Sequence, residues 1–289
     1  MYQICCIGHI TSDKIVTPQA INYLPGGTAY YFSCALSKLE VPYLLVTSLA
    51  PAEMPYVEAL RAKGIGVKVQ PGAHTVFFEN IYGENPDDRS QNVLETADAF
   101  TMAQLHAIDA RVFHLGPLLA GDIPVDLIKT LAAKGRISLD VQGYLRKVVN
   151  QKVYPTDWPQ KRQALQYVDI LKADVAELQA LTGCPTVADG AKCAAGWGVN
   201  EVIVTNGSKG SVIYSGGAFY DIPAYPPPTV VDATGCGDTY MAGYLYRRGK
   251  GDTIPRAGEF AAAMAGLKTA ANGAFEGTEA DVLQFKSAF

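Results

Sequence analysis

The chain lacks any run of lysines or arginines: 24 basic residues face 28 acidic ones in 289, and the formal charge is -4. Binding nucleic acid or an anionic membrane calls for a basic stripe, so neither is an expected partner. Histidine is scarce, and His9, His74, His106 and His114 show no metal-ligand spacing. The six cysteines form no C-x-x-C pair and no zinc-type cluster with histidine. Cys5 and Cys6 sit side by side in an apolar run, and buried free thiols in a reducing cytoplasm are the expectation. No stretch approaches the roughly 18 apolar residues of a membrane span. The apolar start Ile4–Ile7 is too short, and too poor in preceding positive charge, for a signal peptide. The expected location is therefore cytoplasmic. Two nucleotide fingerprints are also missing. There is no G-x-x-x-x-G-K-[ST] loop, and no G-x-G-x-x-G follows the first apolar run, which disfavours a P-loop enzyme and a dinucleotide-dependent dehydrogenase.

What is present has a globular composition, 48% hydrophobic and 18% charged. Short apolar runs at Gln3–Gly8, Tyr43–Thr47, Val112–Leu115, Ile137–Val141, Ile170–Lys172 and Glu201–Thr205 read as strands. Between them lie helical patterns. In Thr28–Leu39, Phe32, Ala35, Leu36 and Leu39 share a face, and Asp122–Lys134 repeats the pattern before Gly135, placed as a C-cap. Another helical pattern covers Arg256–Ala271. This alternation predicts an α/β fold with a mainly parallel sheet covered on both faces. Two stretches break it. Residues 11–24 are polar without a helical period, and 73–96 read as extended segments around the turn-rich Gly83–Ser90. They form either a small flap standing off the main sheet or ordinary surface hairpins.

The chemistry concentrates in Val230–Gly243, where an apolar pair runs into a glycine-rich turn and then a helical pattern. Small residues let the backbone approach a ligand closely. The first N–H groups of a helix have no helical partner and carry its positive dipole end, which suits an anion. Asp238 stands at that helix start, either to meet a hydroxyl attacking the anion or merely to cap the helix.

Asp232-Ala-Thr-Gly-Cys-Gly-Asp238 resembles the D-T-x-G-A-G-D signature of the ribokinase-like (pfkB) carbohydrate kinases. The resemblance implies one domain over residues 1–289, a three-layer α/β/α fold with a small β-flap as lid at about 11–24 and 73–96. It implies ATP-dependent transfer of a phosphoryl group to an alcohol, with magnesium. Gly235, Cys236 and Gly237 would shape the anion hole, and Asp238, with an ordinary carboxylate pKa, would be the base. Ala233 and Cys236 depart from the usual Thr and Ala, and both are small. In several members the position of Asp232 helps bind a monovalent cation such as K+.

Other pieces follow in family order. Gly8–Asp13 resembles the G-x-x-x-x-D whose Asp binds substrate hydroxyls, and could equally be an exposed turn. Pro25-Gly26-Gly27-Thr-Ala-Tyr-Tyr31 resembles a G-G-x-x-x-N helix opening, with Tyr31 where many sugar kinases have Asn. Asp174-Val-Ala-Glu177 resembles the N-x-x-E motif that organises magnesium and phosphate, and also reads as a capping box. Thr205, Gly207 and Gly210 match a T-x-G-x-x-G nucleotide contact, with Thr234, Asn272 and Gly273 expected beside the nucleotide. Gly26–Tyr31, Phe78–Tyr82 and Asp140–Arg146 resemble a branch that includes myo-inositol kinases, which makes Gln142 and Arg146 substrate contacts. A polyol or sugar is the first acceptor choice. A nucleoside stacking on tyrosine comes second, and a phosphosugar held by Arg89 or Arg146 third. A non-catalytic regulator with the same fold is the remaining reading, disfavoured by the retention of Asp238. Members often dimerise through the flap, which implies a homodimer here.

Overall fold

Along the first strand, Ile4 and Cys6 enter one hydrophobic core while Cys5 and Ile7 enter another. Strand side chains alternate in direction, so a strand apolar on both faces must be covered on both. The computed structural model describes residues 1–18, 20–82 and 89–289, without the side chains of Tyr82, Arg89 and Gln104. The predicted Gly83–Ser90 turn therefore lies outside the described residues as far as position 88, as does the Arg89 side chain.

The described strands are β1 (Tyr2–Gly8), β2 (Thr11–Val16), β3 (Ile21–Gly26), β4 (Tyr43–Leu49), β5 (Gly66–Pro71), β6 (Val76–Tyr82), β7 (Arg89–Glu95), β8 (Ala110–Gly116), β9 (Arg136–Asp140), β10 (Arg146–Val149), β11 (Lys152–Pro155), β12 (Ile170–Asp174), β13 (Glu201–Thr205), β14 (Ser211–Ser215) and β15 (Ala218–Ile222). The helices are α1 (Gly27–Leu36), α2 (Met54–Ala62), α3 (Met102–Leu105), α4 (Val125–Ala132), α5 (Lys161–Leu165), α6 (Val175–Thr182), α7 (Val187–Gly196), α8 (Cys236–Gly249), α9 (Ile254–Lys268) and α10 (Glu279–Lys286).

The main sheet has the order β15-β14-β13-β12-β9-β8-β1-β4-β5. From β13 to β5 every pairing is parallel, and β14 and β15 add an antiparallel edge. Helices α1, α8 and α9 pack on one face; α4, α6 and α7 pack on the other. The expected three-layer α/β/α architecture is what the chain adopts. Both lid segments form strands, in a second sheet of order β10-β11-β7-β6-β2-β3. Two of those strands were not anticipated. The β10–β11 hairpin turns at Asn150 and Gln151, which both take positive φ, and Lys152 pairs with Asn92 of β7. Such a turn matches the strand twist but carries no glycine here to mark it.

Two local expectations shift. Asp122 does not open α4; its Oδ2 accepts the N–H groups of Leu118 (2.8 Å) and Leu119 (3.0 Å). Gly135 follows the cap of α4 at Ala133, and it is small because a Cβ there would strike the Ala110 carbonyl of β8. His9 and His114 are core residues, stacked on Phe100 and Phe32. No helix among the described residues is long and apolar enough to cross a membrane.

Candidate active site

Parallel sheets present their ligand crevice at the carboxyl ends of the strands. Here β9 ends on Asp140, and β12 reaches Lys172 and Asp174 in register beside it, Lys172 opposite Asp140. Lys172 is buried, with Nζ 3.0 Å from Asp140 Oδ2 and 3.7 Å from Glu177 Oε2. Burial alone would push this ammonium towards neutrality, yet Asp140 and Glu177 hold its pKa above the ordinary value, so it stays charged. A Cβ on Gly237 would come within 3.2 Å of Lys172 Nζ, so glycine at 237 lets the ammonium reach the start of α8.

Gly235 is the N-cap of α8 in a left-handed conformation, φ 74°. A side chain there would run into the ring of Tyr31 from α1. At the first turn of α8 the Cys236 N–H bonds back to the Ala233 carbonyl at 3.2 Å, which leaves the N–H groups of Gly237 and Asp238 without helical acceptors. Asp238 is the third residue of this helix and does not cap it. Burial and the neighbouring Asp140 push its pKa up to about 6, with Lys172, a hydrogen bond to Thr28 and Arg146 pulling the other way. The ordinary carboxylate pKa expected from sequence is therefore corrected: crowding by protein and a second carboxylate move Asp238 towards neutrality.

On β2, Thr11 Oγ1 donates to Asp13 Oδ1 at 2.6 Å, orienting that carboxylate in the lid sheet. Gly26 is small because Asp13 and Thr11 occupy the space a Cβ would take, and Gly27 turns at φ 83° against the His9 carbonyl. Burial, and after it the negative charge of Asp13, Asp232 and Asp238, raises the Tyr31 phenol pKa, so this hydroxyl remains neutral. Gln142 follows β9, its N–H bonded to Asp140 Oδ1 at 3.0 Å, and Arg146 opens β10 close enough to Asp238 to influence it. Asn80 of β6 is buried and accepts a hydrogen bond from Gln91 of β7 at 2.9 Å. By strand alternation it lies on the same lid face as Phe78, which pairs with Asp13.

Beside the turn, a cleft of about 290 Å³ is lined by Thr205, Gly207 and Gly210 and walled by apolar groups including Tyr225, Pro226, Val230 and Ala265. Cys236 and Gly237 also line this cleft, so it reaches the start of α8. Burial pushes the Cys236 thiol up to about 11, so it is a space-filling group. Thr234, Asn272 and Gly273 lie outside this lining. The Thr234 and Gly273 N–H groups instead bind the Asp232 carboxylate, and Asn272 is exposed next to them. Asp174 and Glu177 form a reciprocal capping box at α6, each N–H bonded at 2.7 Å to the other's carboxylate. Among the described residues no group of three or more acidic, His or Cys side chains could cage a metal. That donor set suits magnesium carried mainly by phosphates, with Glu177 at hand, because Mg2+ keeps most of its water and phosphate ligands.

The sequence matches the pfkB family of carbohydrate kinases over residues 1–281. The chain is a pfkB-family kinase. It is 29% identical to the cytidine kinase of Thermococcus kodakarensis across 86% of this chain and 90% of that protein. Its fold is similar, at a TM-score of 0.87, to a pyrophosphate-dependent kinase in the ribokinase family complexed with a pyrophosphate analog and myo-inositol (28% identity; 98% and 100% of the two chains). A pyrophosphate-dependent myo-inositol-1 kinase, converted into a myo-inositol-3 kinase by an Asn-to-Leu and a Ser-to-Leu substitution, is similar at a TM-score of 0.86 (26% identity; 99% of each chain). This kinase is accordingly a phosphotransferase acting on hydroxyl groups, of the sugar and nucleoside kinase class. Lys172, Asp140 and Thr28 were missed as site residues in the sequence. A lysine inside the apolar run Ile170–Ala173 was the available signal, since an unpaired charge is not tolerated in a central strand.

Proposed function

We propose that this kinase transfers the γ-phosphoryl group of ATP to a hydroxyl of a polyol or sugar. One observation carries the reading: the Asp238 carboxylate stands in the first turn of α8, close to Lys172, and Tyr31 is near enough to both Asp238 and Asp13 to feel their charge. The acceptor hydroxyl is held by Asp13 and points to Asp238. Its oxygen attacks the γ-phosphorus, its proton passes to Asp238, and the bond to the β–γ bridging oxygen breaks to release ADP. The N–H groups of Gly237 and Asp238 hold the equatorial oxygens as charge shifts, each good donor contributing about 3–4 kcal/mol in comparable oxyanion sites, while the Cys236 N–H is bonded to the Ala233 carbonyl. Lys172 adds a full positive charge to the same hole. Magnesium, when bound with the nucleotide near Glu177, supplies charge neutralisation of the phosphates. Asp232 and the 205–210 loop shape the donor side.

Two further observations bear on the substrates. The apolar cleft beside the turn gives a nucleobase a place to lie, whereas pyrophosphate would leave it empty; this favours ATP even though two structurally similar proteins use pyrophosphate. In the converted myo-inositol kinase the two altered residues stand eleven positions apart. Asn80 and Gln91 share that spacing and bond to each other on the lid, which supports a polyol acceptor read by this pair. A nucleoside acceptor, as in the archaeal relative, is the second reading. Exposed Ile21, Tyr23 and Leu24 on the outer edge strand β3 support a homodimer through the lid.

The test is phosphorylated product formed from ATP or pyrophosphate across inositols, sugars, nucleosides and sugar phosphates, with Asp238→Asn as control. ATP-dependent product from a polyol, lost in the variant, is the expected result. Pyrophosphate used in preference to ATP would overturn the donor assignment, and a nucleoside preferred over every polyol would overturn the acceptor.

A further inference from the structure

The position of Asp232 is where the family resemblance puts a monovalent cation, but the residues present do not fit one. Lys268, the last residue of α9, has a completely buried side chain. Its Nζ donates to the Asp232 backbone carbonyl at 2.8 Å and to Asp232 Oδ2 at 3.1 Å. The rest of that carboxylate is also taken, Oδ2 by the Gly273 N–H (3.1 Å) and Oδ1 by the Thr234 N–H (2.8 Å). An ammonium carries the same single charge as potassium and, like it, gathers oxygen atoms around itself. It also stands at the carboxyl end of a helix, where backbone carbonyls favour positive charge.

We infer that Lys268 is a built-in monovalent cation: a positioning residue whose ammonium does the work of K+ in shaping the Asp232–Gly235 turn, so that this kinase needs no added monovalent ion. The turn is tied to α9 at several points. Besides Lys268, the N–H of Val231 bonds to the Thr269 carbonyl at 2.7 Å, and Cys236 Sγ approaches the Ala265 carbonyl at 3.8 Å. Burial pushes the Asp232 carboxyl up, but Thr234 and Lys268 outweigh it and hold it below its ordinary range. With Lys268 Nζ on its carbonyl and Oδ2, the Gly273 N–H on Oδ2 and the Thr234 N–H on Oδ1, Asp232 has both carboxylate oxygens and its carbonyl already engaged where a second cation would need them.

The inference rests on the kinase reading for its turnover measurement and is independent of it for its melting measurement. Wild type and Lys268→Met are compared in potassium chloride and in choline chloride at equal ionic strength. Wild type is expected to melt at the same temperature and turn over at the same rate in both salts, within about twofold. Lys268→Met is expected to melt lower in choline chloride, and to regain stability and turnover saturably with K+, as linkage to a vacated site requires. A merely structural lysine would give no ion-selective rescue. Lys268→Gln serves as the second variant if Met does not fold in either salt. Saturable activation or stabilisation of wild type by K+ would overturn the inference, as would indifference of both variants to K+. If wild type phosphorylates no acceptor, the functional reading fails while the melting series still decides this one.

Discussion

Replacing Asp238 by Asn should cost the kinase its turnover and make the folded protein more stable at pH 8. The carboxyl pKa rises from 3.8 to about 6 on folding, chiefly through burial and the nearby Asp140. At 1.36 kcal/mol for each pH unit, the ionised native group carries a penalty of roughly 3 kcal/mol. Asp238 keeps part of its surface open to solvent, which reduces the usable gain to about 1–2 kcal/mol. For a chain of this size that raises the melting temperature by about 2–6 °C. The sign with pH follows from proton uptake. Native Asp238 takes its proton as pH falls through about 6, before the unfolded chain does so near 3.8. The wild-type penalty therefore fades between those values, and the advantage of the Asn variant is full above pH 7 and gone below pH 4. Parallel calorimetric melts of both proteins at pH 8, 6 and 4.5 measure it. In wild type, turnover should fall on the acid side with an apparent pKa near 6. An Asn variant less stable than wild type at pH 8, or a difference that does not change with pH, would refute the burial account of Asp238. Loss of less than about a hundredfold in kcat would refute its role as base.

Lys172→Met should lower kcat by at least about a hundredfold and strand Asp140 and Glu177 without a cation, costing about 3 kcal/mol in denaturant titration. Adding Asp140→Asn should recover much of that stability and none of the turnover, and recovered turnover would mean that Lys172 only neutralises Asp140. Gly235→Ala meets both a left-handed φ and the Tyr31 ring, so unfolding should become easier by about 2 kcal/mol and the acceptor KM should rise. Ala265→Leu fills the apolar cleft and should raise the KM for ATP about tenfold while leaving acceptor KM unchanged. An unchanged ATP KM in steady-state kinetics would move the nucleobase elsewhere.

The layers were legible because the central strands are apolar on consecutive residues, as at Ile4–Ile7, and only a sheet covered on both faces needs that. The α8 turn was legible because Gly235 admits a left-handed backbone that other residues resist, and Gly237 leaves room where a side chain would meet Lys172. What pattern reading could not reach were contacts between distant segments. Lys172 meets Asp140 across neighbouring strands 32 residues apart in sequence, and nothing local to either names the other. The β10–β11 hairpin was hidden for a related reason: Asn150 and Gln151 adopt positive φ without a glycine to announce it. Nothing in the Arg256–Ala271 pattern marks Lys268, whose partner Asp232 lies 36 residues away in sequence. The Asp174–Glu177 pair shows the opposite case, since the capping box read from four adjacent residues is present in full.

The lid is rooted on both sides. One edge strand, β3, runs straight into α1 through Gly26 and Gly27, and the other, β10, rises from the short turn that follows Asp140. A flap with a single hinge swings, but a sheet footed at two abutments flexes like an arch, and its span cannot shift without loading both footings. One footing holds Asp13 and Tyr31, and the other leads to Gln142 and Arg146. A ligand that pressed on the middle of the span, at Phe78 and Asn80, would thus load both footings at once.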